Sequence, residues 1–230
     1  MPVITLSGRT ASGARELGPR VASLLDIDFV DQQLMVQAAQ RCGVSVGAVA
    51  DVDERYGSFR QRLVSVINTI LERSAASGAD PLAGPGSLEA VLSRSYAEVG
   101  PEEERDFSAQ TYLDTVSAII TELAASGRIV ILGRGGQMIL ADLPRALHVL
   151  TVAPRELRYQ RFAEREGIGM EESKRRVDET DRARAAFYKK FWKVDVQDPC
   201  LYDLTVDTSH FTLDQAAELM ATAVRVKAVD

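Results

Sequence analysis

The sequence predicts an α/β fold with a mostly parallel sheet and helices on both faces. Short β-prone apolar runs alternate with longer segments in which apolar residues recur at helical spacing. The run 129–132 has four apolar residues without alternation, which is typical of a central parallel strand buried on both faces. Glycine-containing turns follow this run and the run 3–6, at the strand ends where parallel sheets bind ligands.

The individual elements are predicted from these patterns. Strands are expected at 3–6, 27–30, 129–132, 147–152 and 204–206. Helices are expected after the loop 7–14 to about Leu25, and at about 32–41, 45–55, 59–75, 87–97, 108–126, 155–166, 170–190 and 213–227. Pro19 predicts a loosened or late-starting first turn of the first helix. Thr212 and Gln215 form a capping box that opens the last helix.

Residues 44–127 differ from the rest of the chain. They carry helical patterns around the Gly/Pro-rich loop 77–87 and no strand signal. We therefore expect a helical insertion at 44–127 between the two parts of a core, 1–43 and 128–230.

The composition is that of a soluble globular protein, with 46% hydrophobic and 26% charged residues. No apolar run approaches the ~20 residues of a membrane span, and no signal-type leader opens the sequence. Cys42 and Cys200 are isolated thiols, so we expect a cytoplasmic protein without a membrane partner. Two histidines argue against a His-rich metal site, and the net charge of −6 argues against general nucleic-acid binding.

One segment of this acidic chain is basic. Residues 155–193 contain 12 Lys and Arg against 8 Asp and Glu. Such a segment indicates a dedicated anion site. The alternative is a solvated helical pair with many ion pairs, and charge alone favours that alternative.

The loop after the first strand has the spacing of a phosphate-binding loop. Gly8 and Gly13 stand five apart, as in GxxxxGK[ST], between an apolar run and a helical pattern. This geometry turns backbone N–H groups toward an anion. Ala14 and Arg15 occupy the positions where the motif has Lys and Ser or Thr. The scaffold of the motif is therefore present without its two chemical side chains.

Several motifs together resemble the cytidylate kinase-like branch of the P-loop nucleoside monophosphate kinases. The resemblance covers 3–42 and 110–225, and hardly touches 44–109. The matching residues are Ser7 with Ser12-Gly13-Ala14-Arg15-Glu16, Asp31 after the second strand, Gly133-Arg134, Ala153-Pro154-x-Glu156-x-Arg158, Asp178-x-x-Asp181-Arg182-x-Arg184, and Tyr202 with Asp207-Thr208-Ser209.

The resemblance implies a three-layer P-loop kinase fold with a five-stranded sheet and a mobile helical lid at about 155–193. Residues 44–109 would replace the acceptor-nucleotide lobe. The implied activity is transfer of the ATP γ-phosphoryl group to a nucleoside monophosphate such as CMP, with Mg²⁺. The partners would be a nucleoside triphosphate and a small phosphorylated acceptor. The residues implied to cradle ATP are Gly8, Arg9, Thr10, Ala11, Ser12, Gly13, Ala14 and Arg15.

Arginines are the implied catalytic groups, because a planar guanidinium can grip two phosphate oxygens at once. They are Arg15, Arg158, Arg182 and Arg184, with Arg15 standing in for the missing lysine. Arg134 and Asp31 are the implied acceptor-binding residues.

The sequence also allows non-functional roles for these residues. Arg15 and Arg134 could be solvated arginines, and Asp31 could be only an N-cap. Arg161 and Arg165 are expected at the surface. No metal ligand is identifiable, although the hydroxyl of Ser12 or Thr10 could serve. Two other functions also remain: a non-catalytic nucleotide sensor, and a kinase with a non-nucleotide acceptor.

Overall fold

The computed structural model describes residues 2–31, 64–65 and 106–227, without the side chains of residues 106–112. The helices expected at about 32–41, 45–55 and 87–97 and the loop 77–87 lie outside the described residues. So does the helix expected at 59–75, apart from the two helical residues 64–65.

The described elements follow the predicted order, with two short additions at 136–139 and 199–201 that were not predicted. They are β1 (Val3–Gly8), α1 (Ala14–Leu25), β2 (Asp28–Val30), α2 (Asp106–Ser126), β3 (Ile129–Leu132), α3 (Gly136–Ile139), β4 (Ala146–Val152), α4 (Arg155–Glu166), α5 (Met170–Phe191), a 3-10 turn (Pro199–Leu201), β5 (Leu204–Asp207) and α6 (Leu213–Lys227). The strands form one five-stranded sheet in the order β2-β3-β1-β4-β5. The predicted α/β fold with a five-stranded parallel sheet is confirmed.

β1 lies at the centre of the sheet. It pairs in parallel with β3 on one side and with β4 on the other, and Leu6 lies opposite both Leu132 and Val149. Residues 3–7 are all buried, because both neighbours and both faces of the strand are covered. Burial on both faces suits the apolar residues Val3, Ile4 and Leu6. The buried Thr5 hydroxyl is hydrogen-bonded to His148 Nδ1 at 2.7 Å.

One face of the sheet is covered by α1 and α6. Leu17 and Val21 of α1 and Met220 and Val224 of α6 belong to the same buried cluster as β-strand residues such as Ile4. The capping box that opens α6 is confirmed: the Gln215 N–H donates to Thr212 Oγ1 at 3.2 Å, and the Thr212 N–H donates to Gln215 Oε1 at 3.0 Å.

The prediction of a loosened or late-starting first turn of α1 is wrong. The helix begins at Ala14, and the Leu17 N–H closes its first turn on the Gly13 carbonyl at 2.9 Å. Pro19 removes only the hydrogen bond that its own N–H would have donated four residues back. The first turn does not use that bond, so the helix tolerates the proline.

The chain divides into two compact units. One comprises residues 1–29 and 127–230, and the other comprises residues 30–126. In the second unit, α2 buries Val116, Ile119, Ile120 and Leu123, which share one helix face at i, i+3, i+4 and i+7. Within the described parts of the chain, no helix is long and apolar enough to cross a membrane.

Gly18 of α1 lies in close contact with the Phe29 ring of β2. A Cβ atom at this position would overlap the Phe29 ring, with Cδ2 at 3.0 Å and Cε2 nearer still. Glycine inside a helix normally costs about 0.5–1 kcal/mol relative to alanine. The close approach of the ring is therefore the reason that glycine stands here.

We predict that Gly18→Ala lowers the free energy of unfolding by about 1–3 kcal/mol, the usual cost of overpacking a core. Denaturant titration measures the change, and Ser23→Ala, at an exposed position of the same helix, is the matched control. A Gly18→Ala protein at least as stable as the wild type would refute this account of the contact.

Candidate functional site

The carboxyl ends of β1 and β3 form the crevice at which this sheet changes direction. After β1 the chain returns to the sheet at β2, whereas after β3 it crosses to β4 on the other side of β1. Ligands of open parallel sheets bind at such a switch point. The loop 8–13 and the turn 133–136 flank the crevice at the same level, since Leu6 pairs with Leu132 and the Gly133 N–H donates to the Leu6 carbonyl.

The loop 8–13 is packed from below by β4. The Ser12 hydroxyl is fully buried and forms a 2.7 Å hydrogen bond with Thr151 Oγ1. A Cβ atom at Gly8 would lie 2.5 Å from Ser12 Oγ and nearer still to Thr151 Oγ1. Gly13 has φ +93°, which suits glycine, and forms the N-cap of α1. Gly8, Ser12 and Gly13 therefore shape the loop.

Thr208 holds the loop from the carboxyl end of β5. Its hydroxyl donates to the Ser12 carbonyl at 2.9 Å, and Arg161 donates to Thr208 Oγ1 and to the Thr208 carbonyl at 2.8 and 2.9 Å. Arg161 is half-buried, and not the surface residue that the sequence predicts. The helical spacing of Arg158, Arg161 and Arg165 gave no sign of this contact, because it depends on where β5 ends.

The Asp181 carboxylate closes the loop from above. Its Oδ1 accepts hydrogen bonds from the Thr10 N–H at 3.0 Å and from the Thr10 hydroxyl at 2.8 Å. Arg158 Nη1 donates to Oδ2 at 2.7 Å, and Arg184 Nη2 donates to Oδ1 at 3.2 Å. The same two arginines also reach the loop backbone, Arg158 at the Thr10 carbonyl and Arg184 at the Gly8 carbonyl.

These contacts set the charge of Asp181. Burial would raise the pKa of this carboxyl group, but the Thr10 N–H and the cations Arg184 and Arg158 outweigh burial and hold the pKa below its ordinary value. Asp181 is therefore a carboxylate at neutral pH. In the sequence, Asp181 is distinguished only as part of a motif with Arg182. The spacing Asp178-x-x-Asp181 contains no signal that its side chain reaches a loop 171 residues away.

Three arginine Nε–H groups around the loop are buried without a hydrogen-bond partner among the described residues. They belong to Arg9, Arg158 and Arg184. Arg158 is the most enclosed of the three, with a side chain 2% exposed. Buried donors without partners cost free energy, so such groups need an explanation. A bound polyanion at the loop would supply the missing acceptors.

The turn after β3 holds Arg134. The residue is buried and has φ +57°, between Gly133 and Gly135, which also have positive φ values. A left-handed conformation is uncommon for a residue with a side chain and persists only where the surroundings hold it. The structure therefore places Arg134 at the strand end that the sequence predicts, in a constrained turn beside the loop.

Further predicted site residues lie on α1, on α5 and after β2. Arg15 is exposed on the first turn of α1, and Ala14 packs in the core. Arg182 is exposed and donates to the Asp178 carbonyl of its own helix at 3.3 Å, so it lies outside the cluster of Arg158 and Arg184. Asp31 follows β2 directly, half-buried, in the second compact unit.

The hydroxyl groups considered as metal ligands are engaged in other hydrogen bonds. Thr10 donates to Asp181, and Ser12 is bonded to Thr151. Over residues 2–31, 64–65 and 106–227, no group of three or more His, Cys, Asp or Glu side chains is arranged to hold a metal ion. The charged groups described at the loop include the guanidinium groups of Arg158 and Arg184 and the carboxylate of Asp181 that binds both.

The strand order, the loop at the end of the central strand and the arginines around it define a P-loop kinase fold. The model of the cytidylate kinase-like family matches residues 3–210, and the chain belongs to that family. A solved structure of an uncharacterized protein from Eubacterium ventriosum superposes with a TM-score of 0.62 over 98% of each chain, at 15% identity. This likeness shows the fold.

Two archaeal relatives match part of the chain. The cytidylate kinase of Methanopyrus kandleri is 34% identical over 112 residues, which cover 45% of this chain and 58% of that protein. The cytidylate kinase of Pyrococcus horikoshii is 30% identical over 133 residues, covering 57% and 62%. The chain thus spans less than two thirds of the length of these curated relatives.

We predict that Asp181→Asn destabilises the protein by about 3 kcal/mol at neutral pH, because it leaves the buried Arg158 guanidinium without its counter-ion. The Asp181 pKa is depressed in the folded state, so the carboxylate stabilises the fold at pH values above its unfolded pKa of about 3.9. That stabilisation is lost as the pH falls through the folded-state pKa, and the difference between the two proteins should shrink there.

Urea unfolding at stepwise lower pH measures both effects. Asp214→Asn is the control, since the ion pair of Asp214 with Arg20 is exposed and such pairs contribute little. Equal stability of Asp181→Asn and wild type at neutral pH, or a difference that does not change in acid, would contradict the prediction.

Proposed function

We propose that this chain is an ATP-dependent phosphotransferase that acts on a nucleoside monophosphate such as CMP. One observation carries the proposal. The Nε–H groups of Arg9, Arg158 and Arg184 around the loop 8–13 are buried and have no hydrogen-bond partner among the described residues. A triphosphate offers several acceptor oxygens on one flexible chain, which suits three separate guanidinium groups. Relatives named cytidylate kinase support the choice of acceptor.

In this proposal the loop cradles the phosphates of ATP through its backbone, from Gly8 to Ala14. Arg158 and Arg184 neutralise the phosphates from the helical pair α4–α5, which corresponds to the predicted lid. Arg15 and Arg182 are exposed and would join when ligand is bound. Arg134 would hold the phosphate of the acceptor, and Asp31 the acceptor itself.

Phosphoryl transfer demands positioning and neutralisation of charge on the phosphate oxygens, with little covalent chemistry from the protein. Arginine forks provide both, since each can hold two oxygens in a fixed geometry. Mg²⁺ bound to the ATP phosphates would add further charge neutralisation. It commonly keeps several waters and few protein ligands, which is compatible with the arginine-rich site.

The kinase activity is tested by a coupled ADP-release assay with Mg-ATP against CMP, dCMP, UMP, AMP and GMP. Arg134→Ala should lower kcat/KM for the preferred acceptor about tenfold to a hundredfold, because a charge-assisted hydrogen bond contributes about 1.5–3 kcal/mol. Arg175→Ala, which removes an exposed arginine paired with Glu172 and Glu179, is the matched control. Equal activity of Arg134→Ala and wild type would refute the role of Arg134.

The ATP side of the site makes a separate prediction. Arg184→Ala should weaken binding of a non-hydrolysable ATP analogue roughly tenfold, measured by calorimetry. Arg184→Lys should recover part of the loss, because lysine restores the charge without the planar fork. Arg184 is preferred to Arg158 for this test, since Arg158 is almost completely buried and its loss would also affect folding. Unchanged affinity in Arg184→Ala would exclude the arginine from the site.

A non-catalytic nucleotide sensor is the second candidate. It is favoured by Ala14 and Arg15, which replace the lysine and the hydroxyl residue of the usual phosphate loop. Binding of ATP without turnover on any of the five acceptors would support the sensor. Turnover with a phosphorylated acceptor that is not a nucleotide would instead indicate the third possibility.

A further inference from the structure

The turn that carries Arg134 is clamped between β1 and the end of α5. On one side, a Cβ atom at Gly136 would lie 3.2 Å from Thr5 Cγ2 of β1. On the other side, the Trp192 ring lies directly on Gly135: a Cβ atom there would overlap Trp192 Cη2, with Cζ2 and Cζ3 at 3.2 Å. Gly133, on the far side of Arg134, has nothing within 4 Å of the corresponding position.

Trp192 is itself held in place by neighbouring rings. Its ring centroid lies 4.9 Å from that of Tyr188 and 5.6 Å from that of Phe187. Tyr188 is buried, and its hydroxyl accepts a 3.0 Å hydrogen bond from Gln137 Nε2. Gln137 stands three residues after Arg134, so the cluster grips the Arg134 turn at two points, Gly135 and Gln137.

The conformation of Arg134 needs such a grip. A non-glycine residue at φ +57° is held by surrounding structure and not by its own preference. The Gly136 N–H closes the turn on the Gly133 carbonyl at 3.1 Å, and Tyr188 and Tyr202 both bind Gln137. At Gly135 the packing contact comes from Trp192, directly after α5. The middle of the same helix carries Arg184, which contacts the loop.

We propose that Trp192 is a positioning residue for Arg134: by packing on Gly135, it fixes the turn that aims this arginine at the acceptor phosphate. The inference rests on the proposed function, in which Arg134 binds that phosphate. Without the indole ring the turn is less constrained, so Arg134 is no longer held in a single conformation. Small displacements of a binding group cost large factors in rate.

The kinetic test compares Trp192→Ala with Trp192→Phe in the ADP-release assay. Trp192→Ala should raise KM for CMP roughly tenfold, with KM for ATP unchanged, because Arg184 stays on the loop. Trp192→Phe keeps an aromatic ring near Gly135 and should restore KM for CMP to near the wild-type value. Equal rises in KM for both substrates, or no rise for CMP, would overturn the proposal.

A second measurement does not depend on turnover. Trp192 is the single tryptophan of the chain, so indole fluorescence reports on the surroundings of this one ring, which include Gly135 of the turn. Titration of the wild type with CMP and with inorganic phosphate should change the emission, and Arg134→Ala should abolish the change while its circular dichroism stays native. An unchanged emission, or the same change in Arg134→Ala, would overturn the inference. If the fluorescence responds and no acceptor is phosphorylated, the proposed function fails and the positioning role stands.

The two glycines provide a matched pair for the contact itself. Gly133→Ala and Gly135→Ala impose similar backbone strain, since both residues have φ +75°. Only the alanine side chain at position 135 also contacts Trp192. In a protein that retains Trp192, Gly135→Ala should therefore reduce the CMP-induced fluorescence change more than Gly133→Ala does. In a Trp192→Ala background, which has no tryptophan, calorimetry measures the affinity for CMP. The two glycine-to-alanine variants should then have the same affinity. A persistent difference there would show that Trp192 does not act through Gly135.

Discussion

The arrangement of this site depends on one carboxylate. Asp181 receives two hydrogen bonds from Thr10 and one each from Arg158 and Arg184, and so joins α4 and α5 to the loop after β1. Arg158 has a side chain only 2% exposed, and a buried guanidinium needs a counter-ion close by. The loop, the two arginines and the helical pair therefore take their positions together.

The same arrangement determines which cations contact the loop 8–13. Ala14 packs in the core and Arg15 is exposed, so the first turn of α1 places no buried cation at the loop. Arg158 and Arg184 bring positive charge to the loop from the other side. In a GxxxxGK[ST] loop the cation is part of the loop sequence. Under the proposed function, Arg158 would take that part from a helix 148 residues away along the chain.

The sheet could be predicted closely, since uninterrupted apolar runs such as 129–132 have few alternatives in a chain that alternates strands and helices. The location of Arg134 followed from the same logic, because it stands directly after a buried strand. The partners of Arg161 and Asp181 could not be predicted. Helical spacing shows which residues share a face, but Thr208 and Thr10 meet those faces only once the sheet order brings the ends of β1 and β5 under α4 and α5.

The affinity of this loop for an anion would depend on which N–H donors already have a hydrogen-bond partner in the protein. The Thr10 N–H and one N–H each of Arg158 and Arg184 are bonded to Asp181, so an anion that takes them displaces a carboxylate and gains only the difference between two acceptors. The Nε–H groups of Arg9, Arg158 and Arg184 have no partner among the described residues to exchange. Under the proposed function, an anion that reaches these three groups would add hydrogen bonds without displacing an existing partner, and affinity for the loop should depend on them most.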